Sequence, residues 1–254
     1  MNFLLRDLGN LPLFASYLKG INKGPVLLSG LTDSSKVQIA CATNEFSDKP
    51  VCIITYNELQ AKKIINDLNF FEDNVKFFPK REIVTYDFTC ESKDLPYERI
   101  EVLNSIQTGN VNIVVTTIEA IMQNMISKKS LYKNIINLNL GVEYSLEKLK
   151  NKLVELGYER VDLVESRGSF SVRGGIIDVA ISEIEGIRIE FWGDEVDSIR
   201  TFKLSSQRSI QNLDCACIYP AHEFILEKSL EEVTNNILDE SITNTDIQEI
   251  VNLD

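Results

Sequence analysis

The chain has 254 residues, 44% of them hydrophobic and 25% charged, with 26 basic against 38 acidic side chains and a formal net charge of −12. That is the composition of a folded globular protein of one or two domains, and it excludes a chain that grips nucleic acid through a generally basic surface, because such binding depends on displacing counterions from a phosphate backbone. No apolar run reaches the roughly 18 residues of a membrane span, and Met1–Asn10 lacks the basic start and small-residue cleavage site of a secretory leader, so a cytoplasmic location without a membrane partner is expected, with another protein as the default partner.

Four short apolar, β-branched runs, 26–30 (VLLSG), 50–56 (PVCIITY), 75–79 (VKFFP) and 111–116 (VNIVVT), have the length of buried parallel strands. The first leads into Gly30–Val37, Gly-Leu-Thr-Asp-Ser-Ser-Lys-Val, the outline of a phosphate-binding loop. Gly30 and Lys36 stand at the right spacing, but the second glycine of such a loop is Ser35, its magnesium-binding hydroxyl is Val37, and Asp33 puts a carboxylate inside the cradle. Ser35 adds a Cβ where the backbone must approach a phosphate, valine has no oxygen for a cation, and Asp33 would repel a polyphosphate. The loop is therefore expected to bind no nucleotide.

Helices are predicted from Lys36 to Thr43, from Asn57 to Phe70 with Asn57 as cap and Leu59, Ile64, Ile65 and Leu68 at helical spacing, from Glu98 to Thr108, and from Thr117 to Met125. The stretch from Pro79 to Pro96, with Tyr86 and Phe88, reads as irregular, with Tyr97 just beyond it. Alternating strands and helices imply an α/β fold with a parallel sheet covered on both faces. The pattern then changes. Residues 145–157 (SLEKLKNKLVELG) form the clearest helix, with Ser145 as cap, leucines 146, 149, 153 and 156 as its stripe and Gly157 as its stop. Strands are expected at 161–165, 169–173, 176–181, 187–192 and 196–204, with turns at Gly174-Gly175 and Glu185-Gly186. A helix followed by antiparallel strands is an α+β module, placed at 120–205 and inserted into a domain made of 1–119 and 206–254. Residues 213–219 (LDCACIY) are expected to rejoin the first sheet, and the acidic, helix-prone 229–254 to continue into a larger protein.

Five cysteines (Cys41, Cys52, Cys90, Cys215, Cys217) form no Cys-x-x-Cys pair, and no metal site is expected. A nucleophilic triad would have to use the single histidine, His222, which reads as a surface or capping residue. Six of the nine arginines lie between Arg160 and Arg208, with Lys203 the one lysine there. Arg160, Arg167 and Arg173 flank Phe170, an aromatic that looks exposed. From spacing alone, these arginines either pair with the ten carboxylates of 158–207 or present planar donors to a partner.

The segment SRGSFSVRGGIIDV, followed by RIEFWGDEVDSIR, closely resembles the module shared by the excision-repair protein UvrB and the transcription-repair coupling factors (Mfd). The resemblance is strong over about 50 residues and extends to Gly30–Val37 and Asn112–Ala120. It implies a RecA/helicase-like parallel-sheet domain with a degenerate phosphate loop, carrying an inserted UvrA-binding module. The broken loop, and a Tyr86–Tyr97 segment too short and acidic for UvrB's DNA-gripping hairpin, place the resemblance with the coupling factors and leave a UvrB-type ATP-dependent repair or helicase fragment as the alternative. By motif position Arg160, Phe170 and Arg173 are the expected UvrA contacts, with Ser171 where UvrB has a further arginine. The resemblance further implies an adaptor that is not itself an enzyme, without cofactor in this fragment. ATP, magnesium, RNA polymerase and DNA belong to parts of the full-length relatives absent from these residues.

Overall fold

The computed structural model describes residues 3–47, 49–82 and 94–223. The first part contains helices α1 (Phe3–Gly9), α2 (Pro12–Ile21) and α3 (Asp33–Ser47), strand β1 (Val51–Thr55), helix α4 (Glu58–Leu68), strand β2 (Val75–Phe78), helix α5 (Asp94–Thr108) and strand β3 (Ile113–Thr117). The three strands form a parallel sheet in the order β1-β3-β2, and every residue of the central β3 is buried. Ile113 and Val115 pack with Leu5, Phe14, Val37, Cys41, Ala42, Ala61 and Leu68 on one face, while Val114 joins Phe78, Val102, Val111 and Ala120 on the other. A sheet apolar on both faces is what crossover helices produce. Asn57 caps α4 by accepting the Gln60 N–H at 2.9 Å, as its position predicts.

The expected first strand does not form. Val26, Leu27 and Leu28 run beside no described strand and are 40%, 91% and 39% exposed. A strand persists only where a neighbour completes its hydrogen bonds, and β1 pairs with β3 alone. Gly30–Val37 therefore follows a segment without regular secondary structure rather than a strand.

Short helices α6 (Ile118–Ile121) and α7 (Lys128–Lys133) lead to β4 (Ile136–Asn139), α8 (Leu146–Glu155), β5 (Glu159–Arg160), β6 (Ser169–Arg173), β7 (Ile176–Ala180), β8 (Glu185–Trp192), β9 (Glu195–Lys203), β10 (Ser209–Leu213) and β11 (Cys215–Ile218). β10-β9-β8-β7-β6-β5 form a six-stranded sheet, antiparallel except for the β5–β6 pair. Leu149 and Leu153 of α8, with Leu156 just after it, pack against Ile177, Val179, Ile187, Ile189 and Ile199 of that sheet. Ser145 occupies the start of α8 but makes no side-chain cap hydrogen bond. Gly157 follows at φ 87, with the His222 ring filling the space where a Cβ would stand. His222 is thus half-buried rather than a surface residue.

Three strand expectations are corrected. The strand expected at 161–165 is the two-residue β5, because only Glu159 and Arg160 pair with β6. Glu185-Gly186 lies inside β8, since Gly186 is needed where the Phe202 ring and the Val179 carbonyl come within 2.5 and 2.8 Å of a would-be Cβ. Finally, β11 does not rejoin the parallel sheet. It pairs antiparallel with β4, and Ala216 and Ile218 enter the α8 core with Ile136 and Leu138. The expected interval 83–93, including Tyr86 and Phe88, and the 229–254 segment lie outside the described residues.

Candidate functional site: an arginine-bearing sheet face and a self-filled loop

Strand alternation sorts the six-stranded sheet into two faces. Phe170, Val172, Ile177, Val179, Ile187, Ile189 and Ile199 turn toward α8. Ser171, Arg173, Asp178, Arg188, Glu190, Ser198 and Arg200 occupy the opposite face, where register places Ser171, Asp178, Arg188 and Arg200 in one row. One half of this face is closed by Val164, Ala180, Phe202 and Leu204. Gln207, at φ 59, binds the Val164 and Leu204 carbonyls there, at 2.9 and 2.8 Å. The half nearest the β6–β7 and β8–β9 turns is more open.

At its centre Asp178 is a carboxylate with 1% side-chain exposure. Arg188 donates to it through Nε at 2.6 Å and Nη2 at 2.9 Å, and Arg173 donates through Nη2 at 2.6 Å. A buried carboxylate is tolerated because these charged donors replace its water. The hydrogen bond with Asp178 raises the Arg188 pKa further above its ordinary value, and its guanidinium lies 4.7 Å from the Phe202 ring centroid. Arg200 pairs with Glu190, which also accepts from Ser198 Oγ at 2.9 Å. The Arg173–Asp178–Arg188 cluster therefore carries one positive charge in excess, two guanidinium groups against one carboxylate, and the exposed member is Arg173 at 51% side-chain exposure.

The three expected contact residues do not share one patch. Arg173 lies on the open face. Phe170 is 1% exposed, opposite Val179 in the α8 core, so the expectation of an exposed aromatic there is corrected. It stands three residues from Arg173, an odd offset along a strand, and so points the other way. Arg160 is exposed, but β5 registers it beside Phe170, on the face opposite Arg173. Arg167 turns back to α5, donating to Glu101 at 3.2 Å and lying 5.5 Å from the Tyr97 ring. The sequence reading missed the pairing role of Asp178. Its signal was a carboxylate in the middle of the apolar run Ile176–Ala180, a position that demands a charged partner.

At Gly30–Val37, Gly30 adopts φ 75 and α3 begins at Asp33. Lys36 Nζ donates to Asp33 Oδ1 at 3.1 Å and Lys63 Nζ to Asp33 Oδ2 at 3.0 Å. Hydrogen bonds from Lys63 and then Lys36 hold the Asp33 carboxyl below its ordinary range. Thr32 Oγ1 bonds Ser35 Oγ at 2.8 Å and accepts the Ser35 N–H at 3.3 Å. Val37 is 2% exposed and packs among Leu5, Phe14 and Cys41. Asp33, Lys36, Val37 and Lys63 border a cavity of about 440 Å³ against Ile53, Ile54 and Tyr56. The two lysines that would greet a phosphate are thus matched to an internal carboxylate. Among the described residues no group of three or more His, Cys, Asp or Glu side chains is arranged to hold a metal ion, and no helix is long and apolar enough to cross a membrane.

Residues 136–224, from β4 to just past β11, match the family model of the UvrB interaction domain. The antiparallel unit and its arginine face therefore lie in a stretch similar to the UvrB interaction domain. The chain around it is related to transcription-repair coupling factors. It is 36% identical over 219 residues to that of Bacillus subtilis (strain 168), and 32% identical over 216 residues to that of Staphylococcus aureus (strain bovine RF122 / ET3-1). Each alignment covers 84% of this chain and 18% of the relative, so the chain spans about a fifth of the length of these proteins.

Proposed function

We propose that this chain is an adaptor of transcription-coupled DNA repair, whose antiparallel unit docks UvrA while its parallel-sheet lobe, a degenerate RecA-like nucleotide fold, binds no ATP. The observation that carries the docking reading is Arg173, half-exposed beside a buried carboxylate already satisfied by Arg188. A guanidinium in that position can donate to a partner's carboxylate without leaving its own unpaired. The match of 136–224 to the UvrB interaction domain supports a repair-protein partner. Arg160, exposed at the sheet edge, would contribute only if the partner wraps around β5. Phe170 acts through the core that supports the face. We take the antiparallel unit as 136–223 in place of 120–205, a reading that the pairing of β11 with β4 supports. RNA polymerase and DNA would be engaged by other parts of such a protein, and this fragment would supply no catalysis of its own.

The loop reading rests on Asp33 bound to both Lys36 and Lys63 and on Val37 in the core. Isothermal titration separates the readings. UvrA binding that is lost in Arg173→Ala, with no heat from Mg-ATP, is the expected result. Micromolar Mg-ATP affinity would instead favour a UvrB-type ATPase, and unimpaired UvrA binding by Arg173→Ala would remove the docking site.

A further inference from the structure

The open half of the arginine face carries an aromatic side chain without a role so far. Trp192 is the chain's single tryptophan and is 82% exposed. It ends β8, where Ile187, Ile189 and Phe191 are buried while Arg188, Glu190 and Trp192 alternate onto the other side. Trp192 therefore shares the face of Arg173, which register connects to it through the Arg173–Ile176 and Ile176–Glu190 pairs. Two strand spacings and two residues separate their Cα positions, about 12 Å.

The connection between them is stiff. Phe191 N–H donates to the Gly175 carbonyl at 2.8 Å, and a Cβ on Gly175 would stand 2.9 Å from the Phe191 carbonyl oxygen, so the two turns are locked against each other. Gly193, at φ 65, opens the two-residue turn between the paired Trp192 and Glu195. An aromatic side chain on such a turn has few torsions left to lose on burial, and tryptophan and arginine dominate interface anchors.

We propose that Trp192 is the apolar anchor of the UvrA-docking face, entering an apolar socket on UvrA while Arg173 meets a UvrA carboxylate about 12 Å away. This rests on the docking reading above and assigns it the residue that buried Phe170 cannot provide. The charges specify the complementary surface. The Arg173 cluster has one positive charge in excess, whereas Asp194 and Glu195 flank Trp192 and are exposed. The partner is therefore acidic opposite Arg173 and basic around the socket.

One label tests this. The full chain grown with 5-fluorotryptophan gives a single fluorine resonance, from Trp192. Titrated UvrA is expected to shift that resonance. Trp192→Ala should weaken binding about thirtyfold, while Trp192→Phe retains most of the affinity and both variants melt like the parent. Unchanged UvrA affinity in Trp192→Ala, or a resonance that stays put in the saturated complex, overturns the inference while Arg173→Ala still decides the docking reading. A resonance that moves with protein concentration alone, with a dimer in sedimentation, gives the face to a second copy and also overturns it. Absence of UvrA binding by the parent chain ends both readings.

Discussion

Arg99 and Glu223, 124 residues apart in the chain, meet as a buried ion pair. Arg99 Nε and Nη2 donate to the two carboxylate oxygens at 2.7 and 3.3 Å, and Nη1 donates to the Pro79 carbonyl at 2.5 Å. The side chains are 0% and 3% exposed, and the Arg99 guanidinium lies 4.1 Å from the Phe78 ring centroid. Helix α5, the end of β2 and the segment after β11 are thereby tied at one point. Removing Glu223 strands the buried Arg99 guanidinium, and removing Arg99 leaves Glu223 with the longer Arg81 contact at 3.8 Å, whereas removing both strands neither of the pair. Arg99→Met or Glu223→Gln is expected to lower unfolding stability by about 3–5 kcal/mol. The double variant Arg99→Met/Glu223→Gln should lose clearly less than the two added together. Additive losses in urea denaturation would show that the two do not act as a pair.

Arg173 and Arg188 hold the same carboxylate but have different consequences. Arg188 supplies two hydrogen bonds to Asp178 and is 15% exposed, while Arg173 supplies one and is 51% exposed. Arg173→Ala should cost about 1 kcal/mol or less in stability, and its effect should fall on partner binding. Arg188→Ala leaves a buried carboxylate with only a half-exposed partner and should cost about 3 kcal/mol. Equal melting losses in the two variants would contradict this division.

Gly157 combines two constraints, a φ of 87 and a neighbour, the His222 ring, whose Nε2 would lie 2.2 Å from an added Cβ. Gly157→Ala should destabilise by about 1–3 kcal/mol. Adding His222→Ala should recover the steric part and leave the backbone strain. If the second substitution recovers nothing, the ring is not what Gly157 accommodates.

Cys41 is buried, and desolvation pushes its thiol from 9.0 up to about 12. The folded state keeps this proton longer than the unfolded state does. Its contribution is therefore complete below pH 9 and is lost as pH rises from 9 toward 12. Cys41→Ala should be less stable at neutral pH but decline less steeply above pH 9. In native labelling with a maleimide, followed by peptide mapping, the exposed Cys215 and Cys217 should react well before Cys41. Early modification of Cys41 would place it outside the core.

The sequence was readable where one periodicity dominated. β1, β2 and β3 are short β-branched runs, and the leucines of α8 repeat at helical spacing, so local pattern and tertiary burial agree. VLLSG has the same local pattern but no pairing strand, and composition cannot reveal a missing neighbour. β4 was missed and β11 was given the wrong neighbour for a related reason, since their pairing links Asn137 with Cys217 across 80 residues. At the site, the arginine-rich segment was found, but Phe170 was read as exposed and is buried. The strand period was already enough to separate it from Arg173, because residues three apart on a strand oppose each other. The exposed aromatic was Trp192, in a Trp-Gly-Asp-Glu turn that could have been read as a hairpin tip.

The Arg99–Glu223 clamp, together with the Ala221 N–H held by the Leu156 carbonyl at 2.8 Å, has a mechanical consequence. A sheet secured this way to its neighbour does not swivel on a slack tether. Torque applied where Arg173 and Trp192 protrude would travel through α8 and the chain after β11 into α5.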